Sequence, residues 1–490
     1  MWVINDLMIA LNTEFTSRLL SHFHAVQIDS RAVNKGDIFI GIKGPNHDGS
    51  IFSKQAIENG ATLCIVNFIP DECNEFQDKF IVVDDTYQDG LIQLARYNRD
   101  IKHQNSTFIG VTGSVGKTTT KEMLKIAFDR LIGHTYANKG NQNNEYGLPL
   151  SLANIDDENI KCCIFELGMR GKGEISYLSK ILKPHISIIT SIAPAHLEFF
   201  TGLDKIAAAK AEIVDGIQEN GYLIVNFDSP HIDTILHIAN KKKNIKIFGY
   251  SQSINNINAD YKITLIGYEI VKNDLNIWCT VVHVQYDSIK GHNGEIRYKL
   301  GCIGNEFIVN SMAVFSSLLA YSFEYGLNFD NLITAMNALE SFNGLQTRGC
   351  TVHYPKFNIK MLDDSYNANP ISVAAALNRL SQNLQYSECQ RKIAILGDML
   401  ELGEDELQIH RDLINDIKNN QIDKVFCVGK RMYELFKILP EEQQGLWFKT
   451  SDEMSQNITN HIKPLDFIMV KGSLSIQMSK ICNAIEKHCK

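Results

Sequence analysis

The chain has no C-x-x-C pair, no sustained basic block and no G-x-G-x-x-G run. Its eleven cysteines are odd in number and scattered, with Cys162 and Cys163 adjacent inside an apolar run. That pattern suits buried thiols in a reducing cytosol rather than a disulfide framework. A formal charge of −8 and a pI near 6.0 argue against a nucleic-acid partner. Lys241-Lys242-Lys243 is too short to change that and reads as a solvated turn. The start, Met1-Trp2-Val3-Ile4-Asn5-Asp6, lacks the basic end and apolar stretch of a signal peptide, so a cytoplasmic location is expected. The longest uncharged run, between Glu306 and Glu324, contains Asn310 and four serines. It predicts a buried helix and no transmembrane segment. Without G-x-G-x-x-G, a dinucleotide cofactor is not expected.

What is present is an ordinary globular composition, 44% hydrophobic and 21% charged over 490 residues. At about 150 residues per domain, that length predicts three domains. The chain is organised around Gly110-Val111-Thr112-Gly113-Ser114-Val115-Gly116-Lys117-Thr118-Thr119. An apolar run, Thr107-Phe108-Ile109, precedes it, and Lys121 to Phe128 follow with helical apolar spacing. Strand, glycine-rich turn and helix is the context in which backbone N–H groups cradle a phosphate at a helix N-terminus. Lys117 would reach the terminal phosphates and the Thr118 hydroxyl would hold Mg²⁺. The spacing G-x-x-x-x-G-K-[ST] is not met, because Val111 stands where the first glycine belongs.

In order along the chain, residues up to about 100 read as a small α/β unit. Strands are predicted at 37–42 and 62–66, with a glycine-rich loop at 43–49 and a helix over 53–59 between them. Asp29-Ser30-Arg31 could grip a nucleotide phosphate or form a plain turn. From 107 to about 339 strands and helices alternate. Strands at 162–165 and 186–190 deliver Glu166 and His196 beyond their carboxyl ends, where open parallel sheets bind ligands. Lys210 lies on a predicted helix from Asp204; as a lone helical lysine it would be a surface cation. Alternating segments between 257 and 300 predict an antiparallel insert. From about 341 a third unit has strands at 392–396, 424–428 and 466–470, each soon followed by glycine, which is a Rossmann-like, doubly wound pattern.

The loop Thr112-Gly113-Ser114-Val115-Gly116-Lys117-Thr118-Thr119 resembles that of the Mur ligases, which build the peptide stem of peptidoglycan. In that family the loop runs G-x-x-G-x-x-G-K-T, which accounts for the displaced first glycine. Four further stretches resemble the member that adds D-alanyl-D-alanine. They are Asn141 to Pro149, Asp363-Asp364-Ser365-Tyr366-Asn367-Ala368-Asn369-Pro370, Leu396 to Gly403, and Lys471-Gly472-Ser473. An Asn-Pro-Arg-type signature of the preceding amino-acid-adding enzyme is not found.

The resemblance implies an α/β chain of three domains. These are a UDP-muramoyl-peptide-binding domain at 1–101, a central ATP-binding domain of P-loop type with an antiparallel insert at 102–340, and a Rossmann-like domain for the incoming dipeptide at 341–490. It implies an ATP-dependent, Mg²⁺-assisted ligase acting as a monomer on UDP-N-acetylmuramoyl-tripeptide and D-alanyl-D-alanine through an acyl phosphate. By the same resemblance, Gly113, Ser114, Val115, Gly116, Lys117, Thr118 and Thr119 hold the phosphates. Thr118 and Glu166 bind one Mg²⁺, and His196 with a carbamylated Lys210 serves a second. Arg348 and Asp364 match contacts to the nucleotide's phosphates and ribose, although Arg348 could equally form an interdomain ion pair. Asn367 and Asn369 match dipeptide contacts, and would also be natural turn residues beside Pro370. Ser30 and Arg31 match the uridine-nucleotide end, Asn143 and Asn144 the muramoyl peptide. The family run G-x-H-N-x-x-N is Gly304-Asn305-Glu306-Phe307-Ile308-Val309-Asn310 here. Asn310 is kept for adenine, while Glu306 and Phe307 replace the His-Asn pair and Phe307 is expected to offer ring packing. The alternatives are another amide ligase of this superfamily, such as a folylpolyglutamate synthase, or a nucleotide-dependent switch.

Overall fold

The computed structural model describes residues 2–14, 22–44, 47–194, 200, 202–253, 258–289 and 291–490. The chain divides into two compact units, one of residues 1–111, 132–187 and 212–221, the other of 112–131, 188–211 and 222–490.

In the first unit, four short strands, Val26–Gln27, Ile38–Ile40, Leu63–Val66 and Phe80–Val82, form a parallel sheet in chain order. Leu63, Cys64, Ile65 and Val66 have no exposed surface, as expected of a parallel strand covered on both faces. One face packs against Trp2, Leu7 and Phe23, the other against Ala56 and Cys73. The second strand begins one residue later than the apolar pattern suggests. Asp37 turns its carboxylate back to accept from the backbone N–H groups of Ala25 (3.1 Å) and Asn34 (2.9 Å). The same unit holds the strand Cys162–Glu166, paired in parallel with Thr107–Thr112 and with Thr135–Ala137. Cys162 and Cys163 are both fully buried, and burial pushes the Cys163 thiol far above its usual range.

In the second unit, Tyr222–Asn226, Lys246–Ser251 and Tyr261–Lys272 pair in parallel. The chain then turns back twice, so that Tyr261–Lys272, Trp278–Ser288 and Gly294–Leu300 form the antiparallel insert. The helix Asn305–Tyr325 follows and ends at Gly326 in the left-handed conformation. By length and composition this helix could cross a membrane, yet it is a core helix of its unit. Its four serines fit an apolar setting because each hydroxyl donates to a backbone carbonyl three or four residues earlier.

The last part of the chain is a six-stranded sheet in the order Cys350–Tyr354, Ile359–Asp364, Asp466–Lys471, Arg391–Gly397, Lys424–Val428, Gln444–Phe448. All pairs are parallel except the first, where Cys350–Tyr354 runs antiparallel. Apolar clusters cover both faces, which is the doubly wound arrangement the sequence pattern predicts. The register sets Asp364 opposite Lys471, and Lys471 opposite Leu396. Two neighbouring strand ends therefore present Asp364 and Lys471 side by side, at the edge where such sheets bind ligands.

Candidate active site

The phosphate loop lies where strand Thr107–Thr112 passes into helix Lys117–Ile132. Two of its glycines take positive φ, Gly113 at 148° and Gly116 at 88°. Gly113 has a second requirement, since a Cβ there would stand 2.0 Å from Thr190 Oγ1. Thr190 Oγ1 donates to Val115 O (2.6 Å), Ser114 N donates to Ser191 O (2.8 Å), and Ser114 Oγ to Ala193 O (3.0 Å). The loop is thus fastened to 190–193 before any ligand arrives, which is the preorganisation an anion cradle needs. Lys117 Nζ donates to Gly113 O at 2.8 Å.

Around the loop the second unit gathers three of the residues expected to meet the nucleotide. Asn310 packs against Gly116, where a Cβ would come within 2.7 Å of its Oδ1. Arg348 donates through Nη1 to Thr118 Oγ1 and lies flat on the Tyr366 ring, 3.6 Å from its centroid. Among the described residues it makes no ion pair. Asp364 accepts from Lys471 Nζ (2.8 Å) and from Arg379 Nη2 (3.4 Å). Phe307 is 2% exposed. Its ring packs edge-on against Phe342 and beneath Arg379, so its ring packing is spent inside the protein. Glu306 pairs with Arg379 at 2.7 Å. Burial raises its carboxyl above the usual range, against the pull of Arg379.

In the first unit, Glu166 ends its strand 3% exposed. Its Oε1 accepts from Asn143 Nδ2 (2.8 Å) and its backbone N–H donates to Asn138 Oδ1 (3.0 Å). Asn144 Oδ1 accepts from Gly147 N (2.8 Å), which starts helix Gly147–Ala153. Beside these residues is a cavity of about 370 Å³, lined among others by Gln27, Asp29, Ala32, Asn141, Asn144 and Tyr146. Ser30 and Arg31 stand between the lining residues Asp29 and Ala32 without lining the cavity themselves. Ser30 Oγ turns inward to Gln55 (2.6 Å), while the exposed Arg31 grips Asp29 through two nitrogens.

Other expected residues are placed as follows. Lys210, on helix Leu203–Ala211, is 3% exposed, which removes the surface-cation reading. His196 lies outside the described residues. Asn367 Oδ1 accepts from Ala368 N (2.9 Å). Asn369 caps helix Pro370–Leu384 in a reciprocal capping box with Ser372, the turn role that its place before Pro370 suggested. Thr118 in the second unit offers a hydroxyl, and Glu166 in the first a carboxylate. These hard oxygen donors suit an ion that takes one or two protein ligands and completes its shell with phosphate and water.

Sequence reasoning passed over Asn138, Thr190, Tyr366 and Arg379. Thr190 and Tyr366 stood within motifs, at a strand end and in the Asp-Ser-Tyr-Asn run, and could have been weighed there. Nothing local marks Asn138 or Arg379, whose partners lie 28 and 73 positions away.

Comparison with known proteins gives three matches to family descriptions: "Mur ligase family, catalytic domain" over residues 22–96, "Mur ligase middle domain" over 111–318, and "Mur ligase, glutamate ligase domain" over 352–474. The chain is 34% identical to UDP-N-acetylmuramoyl-tripeptide–D-alanyl-D-alanine ligase of Rickettsia prowazekii, across 98% of both chains. Among solved structures it is similar to MurF from Acinetobacter baumannii, with a TM-score of 0.79 at 28% identity over 99% of each chain. It also shares the fold of MurF ligase from Thermotoga maritima in complex with ADP, with a TM-score of 0.73 at 24% identity over 95% of this chain and 98% of that one. Matched by family descriptions from residue 22 to residue 474 and by a relative along its full length, the chain belongs to the Mur ligase family.

Proposed function

We propose that this chain is an ATP-dependent ligase that joins D-alanyl-D-alanine to UDP-N-acetylmuramoyl-tripeptide in peptidoglycan precursor synthesis, releasing ADP and phosphate. The observation that carries the reading is the 34% identity to a ligase of that specificity across 98% of both chains. A phosphate loop and a strand-end carboxylate suited to the reaction support it. In this reading the chain works as a cytoplasmic monomer of three domains, at 1–101, 102–340 and 341–490.

The tripeptide's terminal carboxylate attacks the γ-phosphorus of ATP, and the bond to the β–γ bridging oxygen breaks to give an acyl phosphate and ADP. The dipeptide amine then adds to the acyl carbon, loses a proton, and the tetrahedral species expels phosphate to leave the amide. Catalysis of this kind depends on positioning and charge neutralisation. Backbone N–H groups from Gly113 to Thr119 cradle the phosphates, and Lys117 leaves Gly113 O to follow the charge that moves to the leaving oxygen. Mg²⁺, when bound, supplies further neutralisation, held by Thr118 and Glu166 and at a second position by His196 and a carbamylated Lys210. Arg348 and Asp364 address the nucleotide's phosphates and ribose, with Asn310 at the base. Ser30, Arg31, Asn143 and Asn144 address the UDP-muramoyl peptide, and Asn367 and Asn369 the dipeptide.

The test is mass spectrometry of products from ATP, D-alanyl-D-alanine and each of two UDP-tripeptides, ending in diaminopimelate or lysine. A product heavier by one dipeptide less water is expected with at least one. Phosphate release without the dipeptide, or product only with a free amino acid, would refute the assignment.

A further inference from the structure

Arg379 has no part in the roles assigned above, yet it is the most committed buried cation near the nucleotide residues. Its side chain is 6% exposed. Nη1 donates to Glu306 Oε1 at 2.7 Å and Nη2 to Asp364 Oδ2 at 3.4 Å. Lys471 Nζ meets the same Asp364 oxygen at 2.8 Å. Two cations and two carboxylates therefore balance in one buried cluster. The guanidinium carbon lies 5.2 Å from the centroid of the Phe307 ring. Gly349, at φ +92°, leaves room beside it, because a Cβ there would stand 2.5 Å from Nη1. Nε is buried without a hydrogen-bond partner among the described residues. The guanidinium is thus oriented for its two carboxylates at the expense of its own third nitrogen.

A buried ion pair contributes little net stability compared with apolar packing. What a planar fork supplies is direction and distance. Glu306 opens helix Asn305–Tyr325, and one turn on that helix sets Asn310 against Gly116 of the phosphate loop. Asp364 ends the strand Ile359–Asp364. The fork of Arg379 therefore spans from the helix that touches the phosphate loop to the strand end that carries the candidate ribose contact.

We propose that Arg379 is a positioning residue for nucleotide binding: its fork to Glu306 and Asp364 holds the Asp364 carboxylate at a set place relative to the phosphate loop. Neither Arg379 nor Glu306 touches the nucleotide. The inference rests on the reading that Asp364 contacts the nucleotide's ribose.

The experiment measures affinity for ADP and for UDP-tripeptide by titration calorimetry, together with melting temperature, in the full chain and in Arg379→Met, Arg379→Lys and Glu306→Gln. Arg379→Met should weaken ADP about tenfold and change UDP-tripeptide affinity by less than about twofold. Arg379→Lys, which can serve one carboxylate but not both, should fall between. Glu306→Gln should weaken ADP in its own right and add nothing in the Arg379→Met background. Unchanged ADP affinity in Arg379→Met or Glu306→Gln, or equal losses for both ligands, would overturn the proposal. Should Arg379→Met not fold, Glu306→Gln decides alone. If the wild type binds ADP but makes no dipeptide product, the ligase reading fails while the ADP titrations still judge Arg379.

Discussion

Replacing Asn143 by alanine isolates one hydrogen bond at the end of strand Cys162–Glu166. Asn143 Nδ2 is 2.8 Å from Glu166 Oε1, and Glu166 is 3% exposed. A hydrogen bond to a charged group is worth about 1.5–3 kcal/mol, and a buried carboxylate that loses a donor retains its desolvation cost. Asn143→Ala should therefore destabilise the protein by about 2 kcal/mol, or a fall of roughly 4–8 °C in melting temperature at about 2–4 °C per kcal/mol. The same change leaves Glu166 misaligned for Mg²⁺, so the ion concentration that gives half-maximal turnover should rise. The pair is best read as a double-mutant cycle. With Glu166→Gln already present the bond to a charged acceptor is gone, and Asn143→Ala should cost less by at least about 1 kcal/mol. Urea unfolding of the four proteins supplies the free energies, and a magnesium titration of phosphate release supplies the second readout. Losses that add to within about 0.5 kcal/mol would show that the contact carries no coupling, and the reasoning would be wrong.

Three further expectations follow from other contacts. Burial, aided by Arg99, depresses the His185 pKa from 6.5 to about 4, and Nδ1 accepts from Phe108 N at 2.9 Å. The unfolded chain binds a proton below pH 6.5 that the folded state refuses until about 4, so stability is fully present above that window and falls by roughly 2–3 kcal/mol across it. His185→Gln should flatten that slope in urea unfolding at pH 7 and pH 4.5, and an unchanged slope would remove His185 as its cause. Gly113→Ala, which combines φ 148° with a Cβ 2.0 Å from Thr190 Oγ1, should strain the loop by roughly 1–3 kcal/mol and weaken ADP measurably in calorimetry; wild-type affinity would contradict this. Lys210→Ala should lose most turnover and regain part of it with acetate or formate, which can occupy a vacated carbamate site. Rescue by small amines instead, or full activity unaided, would exclude the carbamate.

The phosphate loop was legible because its meaning is local. A strand, three glycines, a lysine and threonines stand within one ten-residue window, and the structure closes them as a strand–loop–helix turn. Glu166 was legible for the same reason, as a carboxylate at the end of an apolar run. Burial of Lys210 was not, since its helix has four alanines around the lysine and no strong apolar stripe to mark an inward face. The Arg379 cluster was hidden by distance along the chain: its partners are 15 and 73 positions away, and Lys471 is 107 from Asp364. Asn369 shows the opposite case. Beside Pro370 it was expected as a turn residue, and its side-chain oxygen caps the helix that starts there.

Helix Asn305–Tyr325 turns these contacts into a matter of angular registry. Glu306 and Asn310 are four positions apart, so they share one face while the helix advances 100° per residue. One residue inserted between them would swing either the carboxylate away from Arg379 or the amide away from Gly116, and no choice of side chain could recover both. Substitutions that keep the count are a different matter: they loosen the hold on Asp364 but leave the helix in phase. An insertion or deletion between Glu306 and Asn310 should therefore cost more ADP affinity than Glu306→Gln does. On this helix the number of residues between two contacts constrains the protein more tightly than their identities do.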